Sequence, residues 1–234
     1  MGATFEGFQP DAIRFLLELR ANNDRAWFQP RKAEYEQLLK EPLEALCLAL
    51  GERFAKRKIP LRADSRSPFR IYRDVRFSKD KSPYKTYVSA SFGWAGEGAP
   101  AGPQSKTAEV HGVGGYFHLA PDEEYVGGGM WQPDRPHIEA WRALVAKDPA
   151  RVHKTIDAAA FRKAFGELEG GKLQRVPSGF GADHPDAELL KLKDVTFGRH
   201  LTTDEVMSPR LPDILADAFA TATPLMKLLA ELPA

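Results

Sequence analysis

Hydrophobic and polar positions repeat with a helical period at both ends of the chain and with a strand period in the middle. Residues 1–58 and 134–232 carry apolar side chains every three to four positions, as in "LEALCLAL" (43–50). Residues 68–131 instead alternate between apolar and polar, which is the period of strands that bury one face. The pattern predicts a single α+β domain over residues 1–234, in which a central curved antiparallel sheet is flanked by N-terminal and C-terminal helices.

Two alternating runs in the middle part are predicted to be neighbouring strands. "PFRIYRDVRF" (68–77) and "YKTYVSASFGW" (84–94) are separated by "SKDKSP" (78–83), which breaks the pattern. The apolar face of the second run consists of Thr86, Val88, Ala90 and Phe92, and its polar face of Lys85, Tyr87, Ser89 and Ser91. We therefore expect an antiparallel strand–loop–strand unit.

Basic residues concentrate around this unit, although the chain as a whole is nearly neutral. The net charge of the 234 residues is +1, whereas residues 56–85 hold eleven Lys or Arg against three Asp, a local charge of +8. The near-neutral total argues against a generic polyanion binder, while the local excess can attract an anionic ligand. The excess is equally compatible with cationic loops that fold back onto acids elsewhere in the chain.

The first strand, the loop and the start of the second strand supply the candidate ligand-binding residues. Arginines two residues apart on a strand face can bind phosphate or carboxylate with both guanidinium nitrogens, and loop lysines can add donors. Alternation places Arg73 on the apolar face, so it either anchors a buried ion pair or faces a ligand. The predicted ligand-binding residues are Arg70, Arg73, Arg76, Ser78, Lys79, Lys81, Tyr84 and Lys85. The alternative is a set of Arg–Asp pairs that stiffen an exposed sheet face.

Candidates for catalysis and for metal binding are few. Asp74, on the arginine face, and His118, on the same predicted strand face as Tyr116, could act as general acid or base. A lone histidine on a strand is more often structural. The six histidines show no metal-ligand spacing, so we predict no metal site, and the sequence leaves any cofactor open.

Two glycine-containing segments could approach a ligand. "GGGMWQP" (127–133) lacks the Walker A and dinucleotide fingerprints, so it indicates either exposed backbone amides or a tight turn at a strand end. "GGKLQRVPSGF" (170–180) is basic, and it would complete a composite basic pocket if it lay beside residues 76–85.

The expected location follows from the apolar segments and the cysteine count. No run of about 18 apolar residues is present, and the N-terminus does not have the pattern of a signal peptide. The single cysteine, Cys47, lies in an apolar helical stretch and cannot form an internal disulfide. We expect a cytoplasmic protein without membrane contact.

Five segments together resemble a known family. They are "NNDRAWF" (22–28), "YRDVRFSKDKSPYK" (72–85), "GGGMWQP" (127–133), "GGKLQRVPSGF" (170–180) and "HPDAELLKLKD" (184–194). Through them the chain is identified as a member of domain of unknown function 2461, a family of conserved hypothetical proteins, over nearly its whole length. Ser178 stands where the family pattern has a basic residue, which weakens the second basic loop as a ligand contact. The resemblance implies no activity and no cofactor.

Three functions are compatible with the sequence. The first is binding of an anionic, phosphate-bearing ligand, either a small molecule or a nucleic acid, at the strand–loop–strand unit. The second is a hydrolase or transferase that acts on a phosphate ester through Asp74 or His118. The third is a structural or protein-interaction domain whose basic segment is neutralised by its own acids. The sequence does not identify a protein partner.

Overall fold

The computed structural model describes residues 4–97, 99 and 112–233 and begins with a helical part. Its helices are α1 (Pro10–Ala21), α2 (Arg25–Phe28), α3 (Lys32–Tyr35) and α4 (Glu41–Arg57), with a 3-10 turn (Gln29–Arg31) and a π-helical turn (Glu36–Lys40) between them. Asp24 begins α2, because its carboxylate accepts a hydrogen bond from the Trp27 backbone N–H at 2.8 Å. In α1 the buried residues Phe15, Leu16 and Leu19 follow the predicted helical spacing.

Among the described residues, five antiparallel strands form an open sheet in chain order. They are β1 (Leu61–Arg62), β2 (Val88–Trp94), β3 (Val113–Ala120), β4 (Glu123–Met130) and β5 (Val195–His200). Ala90, Phe117 and Val126 lie opposite one another on β2, β3 and β4, and all three are buried. The combination of helices with an antiparallel sheet that is not closed confirms the predicted α+β class.

The C-terminal part is mainly helical, apart from β5. Its helices are α5 (Arg135–Lys147), α6 (Pro149–Ile156), α7 (Ala159–Phe165), α8 (Ala187–Leu190), α9 (Thr203–Met207) and α10 (Leu211–Ala230). Asp134 caps α5 by accepting the His137 N–H at 3.1 Å, and Thr202 forms a reciprocal capping box with Glu205 at α9. No helix in the described part of the chain is long and apolar enough to cross a membrane.

The main core lies between one face of the sheet and the helices α4 and α10. The ring of Phe219 on α10 contacts Phe92 of β2 at 5.5 Å and Phe54 of α4 at 5.7 Å between centroids. Gly115 of β3 makes room for it, because a Cβ there would lie 2.5 Å from a Phe219 ring carbon. The helices thereby cover one sheet face.

Only the second of the two predicted neighbouring strands forms. Residues 68–77 run antiparallel to β2 and to the residues just before it. They contact them through isolated bridges, such as the one between Tyr72 and Tyr84. They form no regular strand, and the alternation ends after buried Ile71, since Phe77 is 95% exposed. The prediction of a strand–loop–strand unit is therefore wrong, and β1 lies outside the predicted range 68–131. The other edge strand, β5, falls in "DVTFGRHL" (194–201), a segment whose pattern predicts an edge strand.

Aspartate turns explain why residues 74–82 leave the sheet. Asp74 accepts a hydrogen bond from the backbone N–H of Arg76 at 3.2 Å, and Asp80 accepts one from the N–H of Ser82 at 2.9 Å. Such local bonds give the backbone an alternative to the strand ladder. The alternation of charged residues in this segment therefore belongs to aspartate-stabilised turns and not to a strand.

Candidate functional site

The sheet face turned away from the helices is polar near β2 and β3. Ser89 and Ser91 of β2 lie opposite His118 and Tyr116 of β3, and all four residues alternate with the buried core positions. Hydroxyl groups and one imidazole therefore share this face, which the polar alternation of the second run correctly predicted for the two serines.

Farther across the same face, the strands carry glycines, here called the glycine floor (Gly114, Gly127, Gly129 and Gly198). Gly127 of β4 lies between Tyr116 of β3 and Gly198 of β5, and Gly129 lies beside Gly114. Without side chains at these positions, another group can lie directly against the backbone.

Two segments line this face and convert it into a cleft of about 570 Å³. Beside β2, the Phe69 backbone N–H donates to the Ser89 carbonyl at 2.9 Å, and both residues line the cleft. Beside β5, Glu169 pairs with Thr196 through its N–H at 2.7 Å and is followed by Gly170 and Gly171. The volume falls within the range of roughly 300–1,000 Å³ typical of small-molecule sites.

Tyr125 lies flat on the glycine floor. A Cβ at Gly127 or at Gly198 would come within 2.6 Å of atoms of this side chain. The Tyr125 hydroxyl donates to a Glu169 carboxylate oxygen at 2.7 Å. Burial, followed by the bond to the Glu169 carboxylate, raises the pKa of Tyr125, so the phenol stays protonated. Tyr125 thus contacts the glycine floor through its ring and Glu169 through its hydroxyl.

Lys85 brings a positive charge to the opposite side of the cleft. Its ammonium group lies 5.0 Å from the ring centroid of Phe69 and 5.6 Å from that of Tyr87, both of which line the cleft. At these distances the ammonium is attracted to the rings. The β2 side therefore combines a cation with two aromatic surfaces.

Acidic and aromatic groups mark the β5 side. Asp194 accepts the backbone N–H of Gln132 at 2.6 Å and that of Gly171 at 3.4 Å, so it holds the loop after β4 next to residues 169–171. Trp131 lines the cleft here and is half exposed. The cleft is consequently bipolar, with an ammonium on one side and two carboxylates on the other.

A hydrogen-bonded pair connects the cleft to His118. The Tyr116 hydroxyl, at the cleft, lies 2.9 Å from His118 Nδ1, and His118 Nε2 lies 3.8 Å from a Glu123 carboxylate oxygen. Burial lowers the pKa of His118 and raises the pKa of Tyr116 to about 12. At neutral pH both groups are therefore uncharged, and a proton can be shared between them.

The predicted arginines are paired within their own segment. Arg76 binds the Asp74 carboxylate at 2.7 Å, and Arg73 pairs with Asp80 and donates to the Ser82 carbonyl at 3.2 Å. The side chain of Arg76 holds the pKa of Asp74 at about 2, so Asp74 remains ionised on an exposed loop. Arg73 thus forms an ion pair, but the pair is exposed, since 60% of the Asp80 side chain is accessible, so it is not the buried ion pair expected. Arg73 also lies outside the described residues that line the cleft.

The other predicted ligand residues occupy different environments. Tyr84 is inside the protein, 1% exposed, and its ring stacks on Phe28 at 4.0 Å between centroids. Arg70, Lys79 and Lys81 are exposed, and Ser78 lies near them on the loop. Of the eight predicted residues, Lys85 lines the cleft in the part of the chain that the structure describes.

The two glycine-containing segments both meet the cleft. Gly128 and Gly129 line it from β4, and Gly170 and Gly171 line it from the β5 side. The basic side chain of Lys172 is bound to Glu188 at 2.8 Å, so the second loop contributes backbone and Glu169 to the cleft. Polar alternation on three strands could have indicated this face from sequence, but its closure by residues far apart in the chain could not.

Metal-ligating side chains do not gather at this cleft. Within residues 4–97, 99 and 112–233, no three His, Cys, Asp or Glu side chains come together in an arrangement that could hold a metal ion. His111 falls outside the described residues.

Comparison with known proteins identifies the family. Residues 11–228 match the family described as "Conserved hypothetical protein (DUF2461)", and the chain belongs to this family. No curated protein and no solved structure matches the chain.

Proposed function

We propose that the cleft binds a small molecule in which a planar ring is joined to an anionic group, with nucleoside monophosphates as the simplest examples. The observation that carries the proposal is the bipolar cleft itself: a glycine floor lies between Lys85 on one side and Glu169 on the other. From β2 to β5 the face spans three strand spacings, roughly 14 Å, which accommodates a ligand of this size.

The floor and the aromatic residues favour a flat ligand. Ser91 and the backbone of Gly114 and Gly129 project little from the sheet, so a ring can lie against them at van der Waals distance. Trp131 offers a half-exposed ring on the β5 side, and aromatic surfaces contribute to the binding of planar groups by stacking. On the β2 side Tyr87 lines the cleft, with its ring packed against His118 at 4.5 Å between centroids.

The charges favour a ligand with an anionic end and a donor-bearing end. An ammonium binds phosphate or carboxylate oxygens, and a charge-assisted hydrogen bond of this kind contributes about 1.5–3 kcal/mol. The Glu169 and Asp194 carboxylates accept hydrogen bonds from hydroxyl or amino groups. A nucleotide carries both kinds of group.

Calorimetric titration with adenosine, guanosine, cytidine and uridine monophosphates tests the proposal. Lys85→Met, which keeps the length of the side chain, should weaken binding by about 10- to 100-fold. Lys79→Met removes the same charge from the exposed loop and should leave the affinity unchanged. Thr196→Trp should abolish binding, because the new ring would occupy the cleft next to Glu169.

Two results would contradict the proposal. If none of the four nucleotides binds, the ligand is of another class. If Lys79→Met weakens binding and Lys85→Met does not, the anion binds at the exposed loop and the cleft has no part in it.

A second candidate function is hydrolysis or transfer of a phosphate ester. It is supported by the pair of Tyr116 and His118, since Tyr116 lies at the cleft and its hydroxyl is 2.9 Å from a neutral imidazole nitrogen. His118 could accept a proton through Tyr116 during the reaction. Asp74, bound by Arg76 on an exposed loop, lies outside the residues that line the cleft.

Turnover of para-nitrophenyl phosphate distinguishes the enzymatic candidate. Activity that is lost in His118→Gln and in Tyr116→Phe, but retained in Asp74→Asn, supports proton transfer through the Tyr116–His118 pair. If the wild type shows no activity, or if both cleft variants retain it, the enzymatic function is contradicted.

A further inference from the structure

We propose that the loop of residues 74–82, here called the Phe77 loop, binds single-stranded nucleic acid. This proposal is independent of the cleft, because it depends on side chains that do not line it. The loop projects an aromatic ring into solvent, places the Arg76 guanidinium beside it and carries further lysines. These are the two elements from which sequence-tolerant binding of single strands is built.

Phe77 is the unusual residue of this surface. Its side chain is 95% exposed, more than any other large apolar residue described in the structure. The Arg76 guanidinium carbon lies 5.8 Å from its ring centroid, which leaves most of the ring accessible. Exposing a phenylalanine to this degree leaves its apolar surface in water, and a stacked base would cover it.

The cationic side chains in and next to the Phe77 loop can bind phosphate groups. The Phe77 loop holds three cations against two acids, and Arg70 and Arg73 precede it, so that residues 70–82 carry a net charge of +3. Arg73 and Arg76 are held in place by Asp80 and Asp74. Arg76, helped by the charge of Arg70, lowers the pKa of Asp74, but Arg70 is exposed and offers its guanidinium to solvent, and exposed Lys79 does the same with its ammonium. The Lys81 ammonium donates to the Val75 carbonyl at 3.0 Å, which closes the loop and still leaves two N–H groups.

The balance of apolar and charged groups favours nucleic acid over an anionic membrane. Membrane affinity grows with the apolar area inserted, and the Phe77 loop offers one fully exposed apolar side chain. In a single-stranded nucleic acid, one unstacked base can instead stack on the Phe77 ring while the neighbouring phosphates contact the cations. A paired duplex would not suit the loop, because its bases are already stacked and its rings are inaccessible.

Fluorescence anisotropy with a labelled single-stranded RNA of about 12 nucleotides tests the inference. Phe77→Ala should weaken binding about tenfold, and Phe77→Trp, which keeps a ring, should preserve it. Lys79→Gln/Lys81→Gln should weaken binding further. With Arg70, Lys79 and Lys81 on phosphates, the logarithm of the affinity should fall with the logarithm of salt concentration with a slope of about −2.

Matched controls separate this surface from general effects. Leu17→Ala truncates another exposed apolar side chain, and Lys154→Gln/Lys163→Gln removes two exposed lysines from the helical part. Both controls should leave RNA affinity unchanged, and so should Thr196→Trp in the cleft. Retention of RNA binding by Thr196→Trp shows that the loop acts independently of the cleft.

Three results would overturn the inference. They are an absence of RNA binding, an affinity unaffected by Phe77→Ala, and an equal loss in the control variants. Binding to phosphatidylserine vesicles without binding to RNA would assign the loop to a membrane surface and would likewise overturn it.

Discussion

Replacing Gly198 with alanine should displace Tyr125 from the floor of the cleft. The new Cβ would lie 1.9 Å from the Tyr125 hydroxyl oxygen and 2.2 Å from the ring carbon Cζ, so the side chain has to move away. The displaced hydroxyl can no longer donate to Glu169, to which it is bound at 2.7 Å. Gly198 lies in regular strand β5, so alanine itself is compatible with the backbone there.

The expected destabilisation follows from the hydrogen bond that is lost. A bond to a charged acceptor contributes about 1.5–3 kcal/mol to stability, and we expect Gly198→Ala to lower the free energy of unfolding by about 2 kcal/mol. In a Tyr125→Ala background the obstacle is absent. The same change should then raise the free energy of unfolding by about 0.5–1 kcal/mol, because alanine has less entropy to lose than glycine.

Urea denaturation of the wild type, both single variants and the double variant measures this reversal of sign. The coupling free energy between the two positions should be about 2–3 kcal/mol. An equal effect of Gly198→Ala in the two backgrounds would refute the placement of Tyr125 on the glycine floor, and with it the shape of the cleft.

Two further predictions concern the helical side of the protein. His153 lies 2.7 Å from carboxylates of both Asp186 and Asp157, bonds that raise its pKa, with Asp186 the larger cause. Its stabilising contribution is complete below the unfolded pKa of about 6.5 and is lost as pH rises through the higher folded pKa. The urea midpoint of the wild type should fall over that window relative to His153→Gln, and parallel pH profiles would contradict this. Gly115→Ala should lower the free energy of unfolding by about 1–3 kcal/mol, because its Cβ meets the Phe219 ring at 2.5 Å. Phe219→Leu should recover part of that loss, and a purely additive effect would speak against the contact.

The regular elements were predictable because their hydrophobic patterns depend on burial over the whole element. Val88, Ala90 and Phe92 lie in the core, and Ser89 and Ser91 lie on the opposite face, as the alternation of β2 predicted. Both serines are nevertheless buried at the cleft. The same kind of pattern failed in residues 68–77. There the local bonds of Asp74 and Asp80 determine the chain path, and Phe77 is apolar without being buried.

The cleft was harder to predict from the sequence than the strands. Lys85 was predicted as a ligand residue and lines the cleft, whereas Tyr84, its neighbour, is packed inside against Phe28. On the opposite side, Asp194 directly precedes β5, whereas Glu169 reaches the sheet only through the pairing of its segment with Thr196. No periodicity in the sequence encodes that approach.

The most direct test of the central claim is a crystal structure of the protein soaked with adenosine monophosphate. We predict that the base lies on the glycine floor between Ser91 and Gly129 and that the phosphate contacts the ammonium of Lys85. Density for the nucleotide only at the exposed loop, or an empty cleft at saturating concentration, would contradict the account.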